Sequence, residues 1–237
     1  MCGRLNVLDD PAVIALCEWL QIDLEITPIQ LSRFVRATQN ISIVWQSQGK
    51  RLMENAIWWL LLEACDSGFK PSKYTSFNTR YDKLNEKNSA GYMAYRHSRC
   101  VIPVKGFGES EYVNGKALHY HDMIAKDSAL LLGGLCRQWL NPNGGELTLS
   151  CSVITLQPHP KLSGIHSKSM PLIMPQQADV VNAWLDNTNS NTEMFASLLK
   201  PQLPQTLIAQ QIDKPSTYQP IGEPFEIEKD DLKDRAL

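Results

Sequence analysis

Apolar and polar positions first fall into a regular rhythm just behind the N-terminus. Asp10-Pro11 introduces it: an aspartate can accept from the unpaired N–H groups that open a helix, and proline suits the first helical position. Val13, Leu16, Cys17 and Leu20 then recur at i, i+3, i+4 and i+7, predicting a helix with one apolar face and making Cys17 a small core residue. Ile41-Ser42-Ile43-Val44-Trp45 alternates like a half-buried strand, with Gln48-Gly49-Lys50 as a hairpin turn behind it. The run Ala56-Ile57-Trp58-Trp59-Leu60-Leu61-Leu62 reads as a largely buried strand, and the polar stretch from Asp66 to Ser89 as a functional or disordered loop. Tyr92 to His97 predicts a short helix leading into a strand at Cys100–Val104. Further strands are expected at Leu118–Ile124, Leu130–Leu135 and Leu147–Leu156, with Pro142-Asn143-Gly144-Gly145 turning between the last two. Gln176 to Asn187 predicts a helix facing Val180, Val181, Trp184 and Leu185 inward, and Glu193 to Lys200 predicts another. The charged end, residues 228–237, is expected to fray. This order of elements predicts an α+β fold, one domain over residues 1–227 with sheets dominating its core.

Composition narrows the function classes. A chain of 237 residues that is 43% hydrophobic and 20% charged can bury one sizeable core. Its net charge of −2 means that a nucleic-acid partner would have to be gripped by a local basic patch. Six cysteines, at positions 2, 17, 65, 100, 136 and 151, lack CxxC spacing, which argues against a zinc site or a disulfide framework and for a reducing cytoplasm. The start has no basic stretch followed by an apolar core, so no secretory signal is expected. The longest apolar run, Ala56 to Cys65, contains Glu63 and is too short to span a bilayer.

The strongest chemical signal is Met1-Cys2-Gly3-Arg4. Loss of Met1, which a small second residue permits, would leave Cys2 with a free 1,2-aminothiol. An α-amine with a pKa near ~8 and a thiol near ~8.5 both have reactive fractions at cellular pH. Together they condense with an aldehyde: the amine forms a Schiff base, and the thiol closes a five-membered thiazolidine on the imine carbon.

Three more segments stand out beside that start: Phe77-Asn78-Thr79-Arg80, Pro103-Val104-Lys105-Gly106-Phe107-Gly108-Glu109 and Ile165-His166-Ser167-Lys168-Ser169-Met170-Pro171. In this order the four segments resemble the SOS response-associated peptidase (SRAP) family, whose members cross-link covalently to abasic sites in single-stranded DNA. Gly133-Gly134-Leu135 and Val153-Ile154-Thr155 are similar to the family's strands, and the likeness runs from residue 1 to about 175. Three places depart from the family pattern: Phe34 stands for a polar residue of the DNA groove, Trp58-Trp59-Leu60-Leu61-Leu62 for a Trp-Gly-Leu-x-Pro strand end, and Ser110 for a tryptophan. These bear on the DNA-binding surface more than on the chemistry.

The resemblance implies a mostly antiparallel, barrel-like β core flanked by helices, and Cys2, Asn78, Glu109 and His166 as the catalytic set. Glu109 is the carboxylate that would shuttle protons while the sugar ring opens and the carbinolamine dehydrates; Gly106 and Gly108 would allow a ligand to approach the backbone closely. Its bland alternative is a solvated turn acid, as its neighbour Glu111 is taken to be. His166 is the second proton carrier, and Asn78 would hold the ring or thiol through its amide. Arg4, Arg80, Arg36 and Lys168 are candidate DNA contacts, with structural salt bridges as the competing reading. Trp58 is the candidate for base stacking; because Trp58 and Trp59 are neighbours on a strand, at most one can face the core while the other lines a cleft. His119 and His121 share a strand face without a completing cysteine or acid, so no metal is expected, nor any cofactor. The expected partner is single-stranded DNA containing abasic sites, met by a monomer in a bacterial cytoplasm, with no membrane involved. Two other readings use the same residues: a thiol peptidase or amidohydrolase with Cys2 as nucleophile and His166 as base, and a non-catalytic single-strand binder of phage origin.

Overall fold

A computed structural model describes residues 3–141 and 144–231 and divides most of their strands between a barrel and a second sheet. In chain order the first elements are β1 (Arg4–Val7), α1 (Pro11–Trp19), β2 (Ser32–Arg36), β3 (Asn40–Ser47), β4 (Lys50–Ile57), β5 (Leu62–Cys65), β6 (Gly68–Pro71) and β7 (Asn78–Arg80). The middle of the chain supplies α2 (Tyr92–His97), β8 (Arg99–Val104), β9 (Gly106–Val113), β10 (Lys116–Ala125), β11 (Leu130–Leu140) and β12 (Leu147–Leu156). Last come β13 (Met170–Pro171), α3 (Ala178–Leu185), β14 (Leu207–Ile212) and β15 (Phe225–Ile227).

The barrel runs β11-β8-β3-β4-β12, and β11 pairs with β12 as well, so the five strands close on themselves. All its pairings are antiparallel except one, a single parallel bridge between Ile57 of β4 and Ser150 of β12. Beyond that bridge β7 takes over the same edge of β12, pairing Asn78 with Val153 and Arg80 with Thr155. The second sheet has the order β15-β14-β10-β9-β1-β2. The chain crosses between the two at Lys105, where β8 of the barrel ends and β9 of the outer sheet begins. The Lys105 amide donates to Asn6 and its carbonyl accepts from Ala125, so the crossing is stitched on both sides. The expected barrel-like, mostly antiparallel core with flanking helices is therefore what the chain forms.

Local chemistry accounts for the elements that the pattern foretold. Asp10 caps α1 by accepting from Ala12 N at 2.8 Å, and Val13, Leu16 and Cys17 are buried beneath it. The four apolar positions expected of the Gln176–Asn187 helix are all buried in α3. Every residue of β8 is buried, Arg99 included. That guanidinium is surrounded by carbonyl oxygens of Tyr95, Arg96, Trp184, Asp186 and Asn189, which replace its hydration and tie α2 and α3 to the barrel.

Several expectations need correction. The apolar run 56–62 is not one strand: β4 stops at Ile57, because Trp58 turns its ring into the core and donates Nε1 to the Phe77 carbonyl at 2.8 Å. The polar stretch 66–89 is not one loop, since it holds β6, β7 and a 3-10 turn at Tyr81–Lys83. The helix expected at Glu193–Lys200 is a single 3-10 turn, Glu193–Phe195, ahead of Pro201. In the charged end, Asp230 is held rather than frayed, bonded to His159 at 3.0 Å, Lys161 at 2.8 Å and the Leu203 amide at 2.9 Å. Residues 232–237, like Pro142 and Asn143 of the expected turn, lie outside the described residues.

Gly106 and Gly108 were expected to admit a ligand, and they admit neighbours of their own fold instead. A Cβ on Gly106 would sit 2.0 Å from the Met123 carbonyl oxygen, and one on Gly108 would sit 2.5 Å from the Arg4 guanidinium. Backbone cannot step aside as a flexible side-chain end can. Gly106→Ala should therefore destabilise the fold by about 2 kcal/mol, read as a lower denaturation midpoint at unchanged slope.

Candidate active site

β1 lies between β2 and β9, and its register sets Arg4 opposite Gly108 and Leu5 opposite Phe107. Arg4 is buried, its guanidinium donating to Ser110 Oγ at 3.0 Å and to the carbonyls of Glu109 and His121 at 3.2 Å each. Side chains alternate along β9, so Gly108 and Ser110 share Arg4's face while Phe107, Glu109 and Glu111 share the other. Glu109 is thus carried inward on the same row as the core residue Phe107 and is only 2% exposed. Burial pushes its carboxyl pKa up to about 7, against the opposing pull of Arg4. A carboxyl with that value gives and takes a proton with equal ease near neutral pH.

His166 meets this row from the segment that follows β12. Its Nε2 is 3.8 Å from Glu109 Oε2, and its Nδ1 is 3.0 Å from Glu111 Oε2. Burial lowers the pKa of the imidazole, while Glu111 acts to raise it. The Glu111 carboxylate also accepts from the Ser167 amide at 3.1 Å and the Ser167 hydroxyl at 2.5 Å. Its own burial works to raise its pKa, but the two Ser167 bonds, His166 and Lys168 outweigh that and hold it below the usual range. Glu111 is therefore not the solvated turn acid expected from sequence; its side chain is 14% exposed and bound to His166.

The remaining candidates divide by location. Asn78 is half-buried at the start of β7, where it helps line a cavity of about 560 Å³ together with Phe77, Arg80, Lys83 and Ser89. Arg80 is exposed at the rim and forked onto Asp82, with bonds of 3.0 and 2.6 Å. Arg36 is exposed on β2 opposite Arg4, and Lys168 is exposed two residues beyond His166. Trp58 cannot stack a base: it is fully buried, edge-on to Phe77 at 5.9 Å. Trp59 is the half-buried member of the pair, tilted against Phe77 at 5.7 Å. Cys2 lies outside the described residues; Arg4, two positions later in the chain, is the nearest candidate with a described side chain.

Some participants were not foreseen. On Arg4's face, the guanidinium lies over the Phe34 and Tyr120 rings at 5.7 and 5.9 Å, and Arg33 stacks on Tyr218 at 3.1 Å. Phe34, the residue that departs from the polar family pattern, packs on Tyr218 at 5.6 Å. Beneath them Asp122 is buried and accepts from Asn6 at 2.7 Å and Tyr218 at 3.1 Å. No short-range spacing in the sequence links residue 34 to 218. His119 and His121 approach through their Nδ1 atoms at 3.2 Å, and burial together with His119 takes the His121 pKa down to about 4. Among the described residues no group of three His, Cys, Asp or Glu side chains is gathered to hold a metal ion, and no helix is long and apolar enough to cross a membrane.

Comparison with known proteins shows the family and the fold. Residues 1–215 match the sequence model of a family described as SOS response associated peptidase (SRAP). Abasic site processing protein YobE of Bacillus subtilis is 30% identical over 169 residues, covering 70% of this chain and 74% of that protein. Abasic site processing protein HMCES of Xenopus tropicalis is 28% identical over 165 residues, covering 62% of this chain and 49% of its own, so the chain spans about half of that relative. Among solved structures, a protein from Bacteroides thetaiotaomicron superposes with a TM-score of 0.67 at 21% identity, covering 90% of this chain and 93% of that one. A phage-related protein from Bordetella bronchiseptica does so with a TM-score of 0.63 at 13% identity, covering 90% and 95%. At these identities the two structures speak to the fold alone.

Proposed function

Since the chain belongs to the SOS response associated peptidase (SRAP) family, we propose that it processes abasic sites in DNA by trapping them as a covalent adduct on Cys2. The observation that carries this reading is Glu109: a buried carboxyl with a pKa of about 7, on the strand hydrogen-bonded to β1, which begins two residues after the reactive cysteine. Removal of Met1, by the chain itself or by an aminopeptidase, frees the Cys2 amine. That amine adds to the open-chain aldehyde of the abasic sugar, forming a C–N bond as the carbonyl oxygen takes a proton. Glu109 as acid then protonates the carbinolamine hydroxyl, water leaves, and the resulting iminium returns its N–H proton to the Glu109 carboxylate, so that an imine remains. The thiolate adds to the imine carbon, the nitrogen takes the proton, and the thiazolidine closes. Aldehyde and aminothiol have become ring and water, with no oxidant consumed.

The other candidates take supporting parts in this reading. His166 relays protons to and from Glu109, and Asn78 holds the sugar or thiol by its amide. Arg36, Lys168 and Arg80 meet phosphates, Arg80 by exchanging Asp82 for a phosphate of the strand. Arg4 acts indirectly, bracing Glu109 and Ser110 from behind. Trp59 replaces Trp58 as the ring that a base stacks on. Single-stranded DNA suits the reaction because no base pair has to be broken to reach the sugar. We assign this work to a monomer acting in a reducing cytoplasm, with residues 1–227 as the domain and 228–237 as its tail.

Intact-mass measurement tests the proposal. The mature chain should lack Met1, and incubation with a single-stranded oligonucleotide carrying one abasic site should add one oligonucleotide mass less one water. Absence of that species, or its formation by a chain that keeps Met1, would overturn the reading.

A further inference from the structure

We propose that Glu111 is a positioning residue for this chemistry: it fixes the His166 ring in the one tautomer and orientation that offers Nε2 to Glu109. The inference rests on the abasic-site reading above and adds to it a residue acting through another.

Three features of the site carry it. Glu109 and Glu111 are two apart on β9, so their carboxyls project from the same face of the sheet. His166 bridges them, with one ring nitrogen 3.0 Å from Glu111 and the other 3.8 Å from Glu109. Glu111 is itself pinned, since both its oxygens accept from Ser167, one from the amide and one from the hydroxyl. The residue that follows His166 in the chain thus locks the carboxylate that locks the ring. His166 is further constrained by its own amide, which donates to the Leu162 carbonyl at 2.9 Å.

The consequence is a matter of tautomers. In a neutral imidazole one nitrogen carries hydrogen and the other a lone pair, and the partner of the first decides which is which. A carboxylate against Nδ1 keeps the hydrogen there, leaving Nε2 as an acceptor aimed at the Glu109 carboxyl. Protonated Glu109 then has a base to exchange with, and ionised Glu109 can be reprotonated through the same ring. Without Glu111 the ring keeps its contact with the Ser110 backbone, and states with hydrogen on Nε2, which cannot accept from protonated Glu109, slow the relay. A carboxylate that orients a histidine from behind is a general device of proton-transfer sites. What is specific here is that this chain supplies it from the same strand as the acid it serves.

The test has one arm that needs no DNA. Nitrogen-15 NMR of the imidazoles should find His166 with its hydrogen on Nδ1 in the unaltered protein and redistributed between the two nitrogens in Glu111→Ala. With abasic single-stranded DNA, the single-turnover rate of adduct formation should fall on the order of tenfold in Glu111→Ala, while the affinity measured before chemistry stays put. Glu111→Gln, whose amide oxygen can still accept from Nδ1–H, should recover most of that loss and guards against a folding defect in the alanine variant. The double variant Glu111→Ala, His166→Ala should be no slower than His166→Ala alone. An unchanged tautomer in Glu111→Ala, an unchanged rate, or losses that add in the double variant would each overturn the assignment. If the unaltered chain forms no adduct at all, the abasic-site reading fails, and the tautomer measurement still judges Glu111 by itself.

Discussion

Cys2→Ala should give no adduct that survives a denaturing gel when incubated with abasic single-stranded DNA, where the unaltered chain gives one shifted band. The reason lies in which half of the aminothiol each variant removes. Alanine leaves an α-amine that can still form an imine, but an imine hydrolyses once the complex is denatured. Serine at the same position should likewise leave an imine that borohydride traps, without the stable ring. Blocking the amine with an uncleaved N-terminal tag should remove both products. On the proposed reading the ring would make the adduct permanent, its closure being intramolecular; good alignment is worth up to ~7–11 kcal/mol relative to a thiol arriving from solution. A stable adduct formed by the blocked chain would move the chemistry to an internal lysine, and hydrolysis of peptides by that chain would favour a thiol protease.

Glu109→Gln should slow adduct formation roughly a hundredfold, the usual contribution of a positioned proton carrier, and should make the folded chain more stable above neutral pH. The second effect follows from burial. The Glu109 pKa stands at about 7 in the folded chain against an ordinary 4.5, so between those values the folded state keeps a proton that the unfolded state has released. Stability therefore falls as pH rises through that window, and above it the fold carries the whole cost of a buried charge, about 3 kcal/mol. Glutamine does not ionise and escapes this cost. Melting curves should show the variant roughly 5–10 °C more stable than the parent at pH 8 and little different at pH 4.5. Asp122 and His121, also shifted by burial, are common to both chains and cancel in the comparison. A variant that reacts at the parental rate would return Glu109 to a purely structural part. One that melts lower at pH 8 would show that its charge is stabilising.

The elements legible from sequence were those whose signal is local. α1 announces itself through a capping aspartate, a proline and an apolar face, and β12 is legible to its ends because Leu147 to Leu156 keeps an apolar residue at least at every second position with no glycine or proline. β9 escaped because its two glycines have no side chain to mark a face; what fills the space above Gly108 is Arg4, more than a hundred residues away. β1 and β2 escaped for a related reason, since short strands with charged members gain their character only from the strands beside them. In the site, Glu109 and His166 came from the family resemblance together with the demand for proton carriers, and the structure brings them within 3.8 Å. Trp58 and Trp59 could not be told apart, because strand geometry says that neighbours point opposite ways without saying which way is in. Glu111 reads from sequence as a solvent-facing acid, since nothing in its surroundings along the chain foretells that residues 166 and 167 cross above it.

The candidate groups hang from two separate sheets: Glu109 from the outer one, Asn78 from the strand that seals the barrel's edge, and His166 from the segment behind β12. A short peptide beginning Cys-Gly-Arg, as the chain would once Met1 is removed, would carry the same aminothiol and would condense with free sugars, metabolite aldehydes and lesions alike. If the chain traps lesions as proposed, discrimination belongs to the docked architecture, and partial melting would turn a selective trap into an indiscriminate electrophile scavenger before it silenced the thiol.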